Sequence, residues 1–158
     1  MLERADFYIL KSDREIDRYN YVCRLTEMAY TRGMRTHILT DSTAEAEHLD
    51  ELLWNFKLES FIPHEIAVHS SLITTATTGD TKTQAPVLIY TTALDKTETS
   101  GDLVINMSAS LPHNIDSYSR LAEIASQSPP VLKQVRSHFR QLKTSGVTIN
   151  IHDFSSNT

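Results

Sequence analysis

Along the chain, short continuous apolar runs alternate with longer stretches in which apolar residues recur at helical intervals. That alternation predicts strands and helices in turn. Residues 5–10 (ADFYIL) are rich in β-formers and read as a first, buried strand. Asp13 can cap the next helix, where Ile16, Tyr19, Tyr21, Val22, Leu25, Met28 and Ala29 keep helical spacing until Gly33 stops it. Residues 35–39 read as a second strand. Thr40, Asp41 or Ser42 can then cap a helix to about Trp54, with Ala46, Leu49, Leu52 and Leu53 on its inner face. Residues 61–68 (FIPHEIAV) read as a third strand, which Pro63 places at a sheet edge or a strand end. Residues 70–84 are rich in Ser and Thr and read as an exposed connection. Strands are predicted at 86–91 and 102–107, with a polar turn over 95–101 between them. The spacing then predicts a helix over 115–126 and a second after Pro129-Pro130, ending at Ser145 with Gly146 at the C′ position. Residues 147–151 read as a last short strand.

Strands and helices alternating at these lengths imply right-handed crossovers. The expected fold is doubly wound α/β, with a mostly parallel sheet and helices on both faces. A chain of 158 residues and 17.9 kDa has the size of one domain, and no repeat or linker divides it, so residues 1–158 are expected to form a single α/β domain. No run of about 18 apolar residues suggests a membrane span. The start, with Glu3 and Asp6, lacks the basic-then-apolar pattern of a signal peptide. A soluble, cytoplasmic protein is the expectation. Cys23 is the only cysteine, which excludes an internal disulfide framework. Its place in a helical apolar pattern reads as core rather than nucleophile.

Open α/β sheets usually hold ligands beyond the C-terminal ends of their strands, and phosphates there need a glycine-rich turn. After the first strand stand Lys11-Ser12-Asp13-Arg14-Glu15, without glycine and with carboxylates that repel a pyrophosphate. The four glycines are far apart, so the fold is expected to be Rossmann-like without a nucleotide-binding glycine loop, and no cofactor is expected. Neither GxSxG nor HExxH occurs. Seven histidines stand singly (His37, His48, His64, His69, His113, His138 and His152), none paired at i, i+4, so core or surface roles are expected rather than metal ligation. No catalytic residue is predicted.

Charge sharpens the picture. The chain carries 20 acids against 15 bases, a net of −5, which disfavours a protein that grips nucleic acid over its whole surface. The balance is uneven, however. Residues 1–128 have a net of −8, while residues 129–152 carry Lys133, Arg136, Arg140 and Lys143 with no acid. In that last predicted helix Leu132, Val135, Phe139 and Leu142 form one apolar stripe. The four cations follow one residue later, about 100° around the axis. Surface helices often carry Lys and Arg, but usually with acids at i, i+4 to pair them. Unpaired cations beside an aromatic suit an acidic peptide or a terminal carboxylate, with single-stranded nucleic acid as the competing ligand.

The chain also resembles a known family, the chi subunit of bacterial DNA polymerase III holoenzyme, part of the clamp-loader assembly. The residues that carry the resemblance are ADFYIL at 5–10, Leu49-Asp50-Glu51-Leu52-Leu53-Trp54, Ser60-Phe61-Ile62-Pro63-His64, Ala85-Pro86-Val87, and the helix from Leu132 to Gly146. They span nearly the whole chain in the family's order. The resemblance implies a non-enzymatic adaptor with two partners: the psi subunit, with which it would form a heterodimer, and the acidic C-terminal tail of single-stranded-DNA-binding protein, which ends in Pro-Phe. DNA contact would be indirect. It puts tail recognition on Arg136, Phe139 and Arg140, with Lys133 nearby. Arg136 would hold the terminal carboxylate, Phe139 would wall a pocket for the terminal ring, and Arg140 and Lys133 would attract the upstream aspartates. The family often has Tyr where this chain has Phe139, so any bond from that hydroxyl is lost. The psi face falls near Phe61, with Trp54 close in sequence. Core packing outweighs an interface role for Trp54, and the two stand level for Phe61.

Two other classes compete. A small α/β hydrolase would use His64 or Asp41 at strand ends, beside a pocket with convergent, perturbed groups; no such pocket is expected. A direct single-stranded DNA binder would use the basic C-terminal helix, against the net negative charge.

Overall fold

The computed structural model describes residues 1–55, 61–67, 85–92 and 100–155. Among them seven strands form one sheet: β1 (Arg4–Ile9), β2 (Thr36–Thr40), β3 (His64–Ile66), β4 (Val87–Thr91), β5 (Gly101–Asn106), β6 (Tyr118–Ala125) and β7 (Thr148–Asp153). Their order is β3-β4-β2-β5-β6-β1-β7, and every pairing is parallel. Three α-helices are described: α1 (Glu15–Thr31), α2 (Thr43–Asn55) and α3 (Pro129–Ser145). α1 and α2 bury Val22, Leu25, Ala46, Leu49 and Leu53 with Ile38, Ile89, Ile105 and Ile124 on one side of the sheet. On the other side α3 buries Val135 and Leu142 with Ala5, Phe7, Val104 and Leu121. The fold is the expected doubly wound α/β architecture, with helices on both faces.

The largest departure from the sequence pattern lies at 115–126. Only Ile115–Ser117 is helical, a single 3-10 turn, and β6 follows at once. Tyr118, Leu121 and Ile124 stand three apart and imitate a helical stripe. In a strand, residues three apart point to opposite faces. Leu121 packs toward α3 and Ile124 toward α1. With β5 and β1 on its flanks and helices over both faces, β6 is buried throughout its last five residues. It therefore shows none of the alternation that marks a half-exposed strand.

Smaller departures concern caps and lengths. Arg14, not Asp13, holds the N-cap position of α1, without a side-chain bond. The Ser12 hydroxyl accepts the Arg14 N–H at 3.0 Å and donates to Asp17. Met28 is 49% exposed rather than on the inner face. Ser42 does cap α2, its hydroxyl accepting the Glu45 N–H, while Glu45 reaches back to the Asp41 N–H. β3 keeps only three residues of the predicted 61–68, and as Pro63 suggested it is an edge strand. The connection expected at 70–84 and most of the turn at 95–101 lie outside the described residues.

Candidate partner-binding site

α3 begins with Pro129 and Pro130 in its first turn, where missing N–H groups cost no helical bond, and ends on Gly146 with φ +82°. It is fastened to the sheet at its centre. His138 is 1% exposed; its Nδ1 lies 2.7 Å from the Glu123 carboxylate on β6 and its Nε2 2.9 Å from the Ala109 carbonyl. Both ring nitrogens face acceptors, an arrangement that suits the doubly protonated ring. Asn106 donates to the other Glu123 oxygen at 2.6 Å. Burial alone would lower the His138 pKa, but the Glu123 carboxylate overcomes it and holds the value above the ordinary one. Burial also pushes Glu123 up, against the pull of His138.

Beside this anchor the helix faces outward differently. Lys133, Arg136, Arg140 and Lys143 are exposed, and among the described residues none makes a hydrogen bond or ion pair. Between α3, β1 and β7 lies a surface cavity of about 310 Å³. Its walls are Phe7, Ile9, Ala125, Leu132, Val135, Phe139 and Ile151, and its polar lining is Gln127, Arg136, Asp153 and Ser155. Phe139 meets Phe7 edge-on, with ring centroids 5.5 Å apart. The Asp153 carboxylate accepts from the Ser155 N–H and hydroxyl, which hold its pKa below the ordinary value. Of the four tail-binding positions predicted from sequence, the structure brings Arg136 and Phe139 into this cavity. Lys133 and Arg140 stand on the same helix outside its lining. Sequence reasoning missed the walls supplied by β1 and β7. The signal was present in Phe7 and Ile9, alternate residues on the α3 side of the first strand.

The other predicted positions meet at the opposite end of the sheet. Trp54, near the end of α2, is 47% exposed and Phe61 is 68% exposed, so core packing holds for neither. Their rings lie 5.4 Å apart, and Trp54 leans over His64 at 4.3 Å.

This cavity stands at strand ends, since Ile9, Ala125 and Asp153 close β1, β6 and β7. The groups proposed for a hydrolase are not in it. His64 is buried, its ring nitrogens 2.6 Å from the Ile62 carbonyl and 3.1 Å from the Asp50 carbonyl. Asp41 accepts from the Ser108 hydroxyl and the Ala109 N–H. Cys23 is buried, and burial pushes its thiol up to about 12. Among the described residues no cluster of His, Cys, Asp and Glu could hold a metal ion, and no helix is long and apolar enough to cross a membrane.

Comparison with known proteins adds to this geometry. The family described as "DNA polymerase III chi subunit, HolC" matches residues 2–150. A DNA polymerase III subunit chi from Pseudomonas aeruginosa is 30% identical over 154 residues, covering 96% of each chain. One from Haemophilus influenzae is 25% identical over 147 residues, covering 92% of this chain and 94% of its own. Among solved structures, T4 UvsW superposes with a TM-score of 0.67 at 7% identity, and a DEAD box protein from Methanococcus jannaschii with 0.60 at 15%. Each match spans at least 95% of this chain and 41% of the larger one, and shows a shared fold.

Proposed function

The chain belongs to the DNA polymerase III chi subunit family, and from that membership and the two surfaces described we propose that it is a replication adaptor. In this reading one chi-like domain links the psi subunit of the clamp loader to the acidic C-terminal tail of single-stranded-DNA-binding protein, in the cytoplasm and without chemistry of its own. The observation that carries the tail assignment is the conjunction at α3. Arg136 lines a mostly apolar cavity, which also holds Asp153, at the lower end of the roughly 300–1,000 Å³ typical of ligand pockets. Lys133, Arg140 and Lys143 continue its stripe along the helix without an ion pair among the described residues.

The mechanism follows from the residues in place. Arg136 at the cavity offers its planar fork to a terminal carboxylate, which accepts two parallel N–H bonds. The terminal phenylalanine enters between Phe139, Phe7, Ile9 and Leu132, where edge-to-face ring contacts and burial favour it. Lys133 and Arg140 lie outside the cavity and draw the upstream aspartates through solvent, a weaker pull that salt screens. At the far end Trp54 and Phe61 form an exposed aromatic pair of the kind that anchors protein interfaces, here assigned to psi.

Calorimetry tests the tail assignment with an acidic peptide ending in Pro-Phe and the same peptide without the final Phe. The intact peptide alone should bind. Arg136→Ala should weaken it at least tenfold, since a hydrogen-bonded charge contributes about 1.5–3 kcal/mol, with the urea midpoint unchanged. Equal binding by both peptides, or full affinity in the Ala variant, refutes it.

A further inference from the structure

On the α1 side of the sheet a third surface stands apart from both sites. α1 packs chiefly over β6 and β2. Beyond it, β1 and β7 present Arg4, Asp6 and Tyr8 beside Asn150 and His152, in register. Four rings run across this face. His152 stacks on Tyr8 at 4.6 Å with planes 10° apart, Tyr8 meets Tyr21 of α1 at 5.2 Å, and Tyr21 meets the exposed Phe154 at 6.1 Å. Arg24 sits over the Tyr21 ring, 5.8 Å from its centroid.

Cations border the rings. Arg24 and Met28 on α1 and Arg32 at its C-cap are exposed at i, i+4 and i+8, and Arg32 shares a shallow recess with Tyr8 and Arg120. Asp6 lies beneath them and lines the same recess. It is buried, and it accepts from Arg4 at 2.9 Å, His152 at 3.0 Å and Arg120 at 3.3 Å, so its charge is spent inside the sheet. Asp17, on the same stripe of α1, is bonded by Ser12 and lies 3.9 Å from Arg14. Arg24 and Arg32 therefore stand without an ion pair among the described residues, and Arg4 and Arg120 share the single charge of Asp6, on a face of partly exposed rings.

We propose that this face binds single-stranded nucleic acid, with phosphates on Arg24, Arg32, Arg4 and Arg120 and unstacked bases against Tyr21 and Phe154. Interleaved arginine and aromatic rings suit a strand whose every unit offers one anion and one π-face. A duplex keeps its bases stacked and gives the rings nothing to meet, and an acidic peptide without aromatic side chains would use the arginines alone. The site lies across the sheet from the α3 stripe and does not depend on tail binding. With a net charge of −5 on the chain, binding is weak and steeply dependent on salt.

The test is fluorescence anisotropy of the full chain with a labelled oligothymidylate of more than about 16 nucleotides. With three or four phosphate contacts, affinity should fall about twentyfold to fiftyfold between roughly 50 and 200 mM salt. The double variant Arg24→Glu, Arg32→Glu, at two exposed positions whose loss should leave the urea midpoint in place, should weaken binding at least tenfold. Tyr21→Ala should weaken it severalfold. Arg136→Ala with Arg140→Ala should leave it unchanged. No binding at low salt overturns the proposal. So does binding that survives the double charge reversal, or binding that only the α3 variant removes. An acidic peptide that binds this face while the oligonucleotide does not overturns it in favour of a protein partner.

Discussion

The two ends of the sheet are built on opposite principles. At one end α3 sets exposed cations beside a mostly apolar cavity walled by β1 and β7, with Arg136 at its lining. At the other, α2 and β3 contain no Lys or Arg; exposed Glu47 and Glu51 share α2 with Trp54, whose ring meets that of Phe61. The first end can recognise a charge and a shape together, and its grip weakens as salt screens the cations. The second offers apolar ring area, on which salt has little purchase, edged by carboxylates that disfavour an acidic partner. Six strand spacings of about 4.8 Å separate β3 from β7, roughly 29 Å, so two partners can occupy the ends at once without touching. Distance and difference of chemistry together suit the proposed adaptor, in which each end can be lost without the other.

The largest effect expected concerns what holds the charged end in place. His138→Ala leaves Glu123 buried with Asn106 but without its cation, and breaking such a pair costs about 3–5 kcal/mol. A fall of that size in urea-unfolding free energy is the expected result, and it should reach tail binding through a displaced α3. The pair also sets a pH dependence. His138 and Glu123 both hold protons to higher pH in the folded chain than in the unfolded one, so folding takes up protons. The His138 contribution is whole below 6.5, its ordinary value, and is lost as pH rises through the elevated folded value. Stability measured across that range should decline with pH, and the slope should shrink in Glu123→Gln. A flat profile in the parent chain would show that the pair is not ionised as described.

Next in size is the aromatic end. Trp54→Ala removes a half-exposed ring that also covers His64. If it is an interface anchor, truncation costs about 2 kcal/mol, some thirtyfold in affinity for psi. The tail peptide should bind as before, and Arg136→Ala should do the reverse. Loss of both affinities from either variant would break the comparison, because it would mean that the ends are coupled.

How much of this was legible in the sequence depended on whether a pattern was one-sided. α3 has a wet face and a dry one, so its limits, its stripes and its C-terminal glycine could all be read from spacing. β6 has no wet face, and Tyr118, Leu121 and Ile124 at intervals of three passed for a helix. The cavity was half legible. Arg136 and Phe139 came from the helix, whereas Phe7, Ile9 and Ile151 reach it only through the β6-β1-β7 pairing, which local spacing does not contain. His138 stood as one of seven single histidines, since its partner lies 15 residues away on a strand read as a helix. The exposure of Trp54 is not legible because large aromatics are usually buried, and only strand order sets α2 over the β3 edge of the sheet.

The smallest effect tests the junction that places the cavity. Gly146 turns the chain from α3 into β7 with φ +82°, and the Cβ of an alanine there would meet nothing within 4 Å. A clash therefore contributes nothing, and Gly146→Ala should cost only the left-handed backbone, about 1–2 kcal/mol. The cost should appear as a lower urea midpoint. If the chain relieves the strain by swinging β7, Ile151 moves with it and tail affinity drops, while the Trp54 end is untouched. If affinity holds at the lower stability, the pairing of β7 with β1 fixes the cavity wall and the turn only joins the two elements. Either result separates the covalent link between α3 and β7 from the packing that sets them face to face.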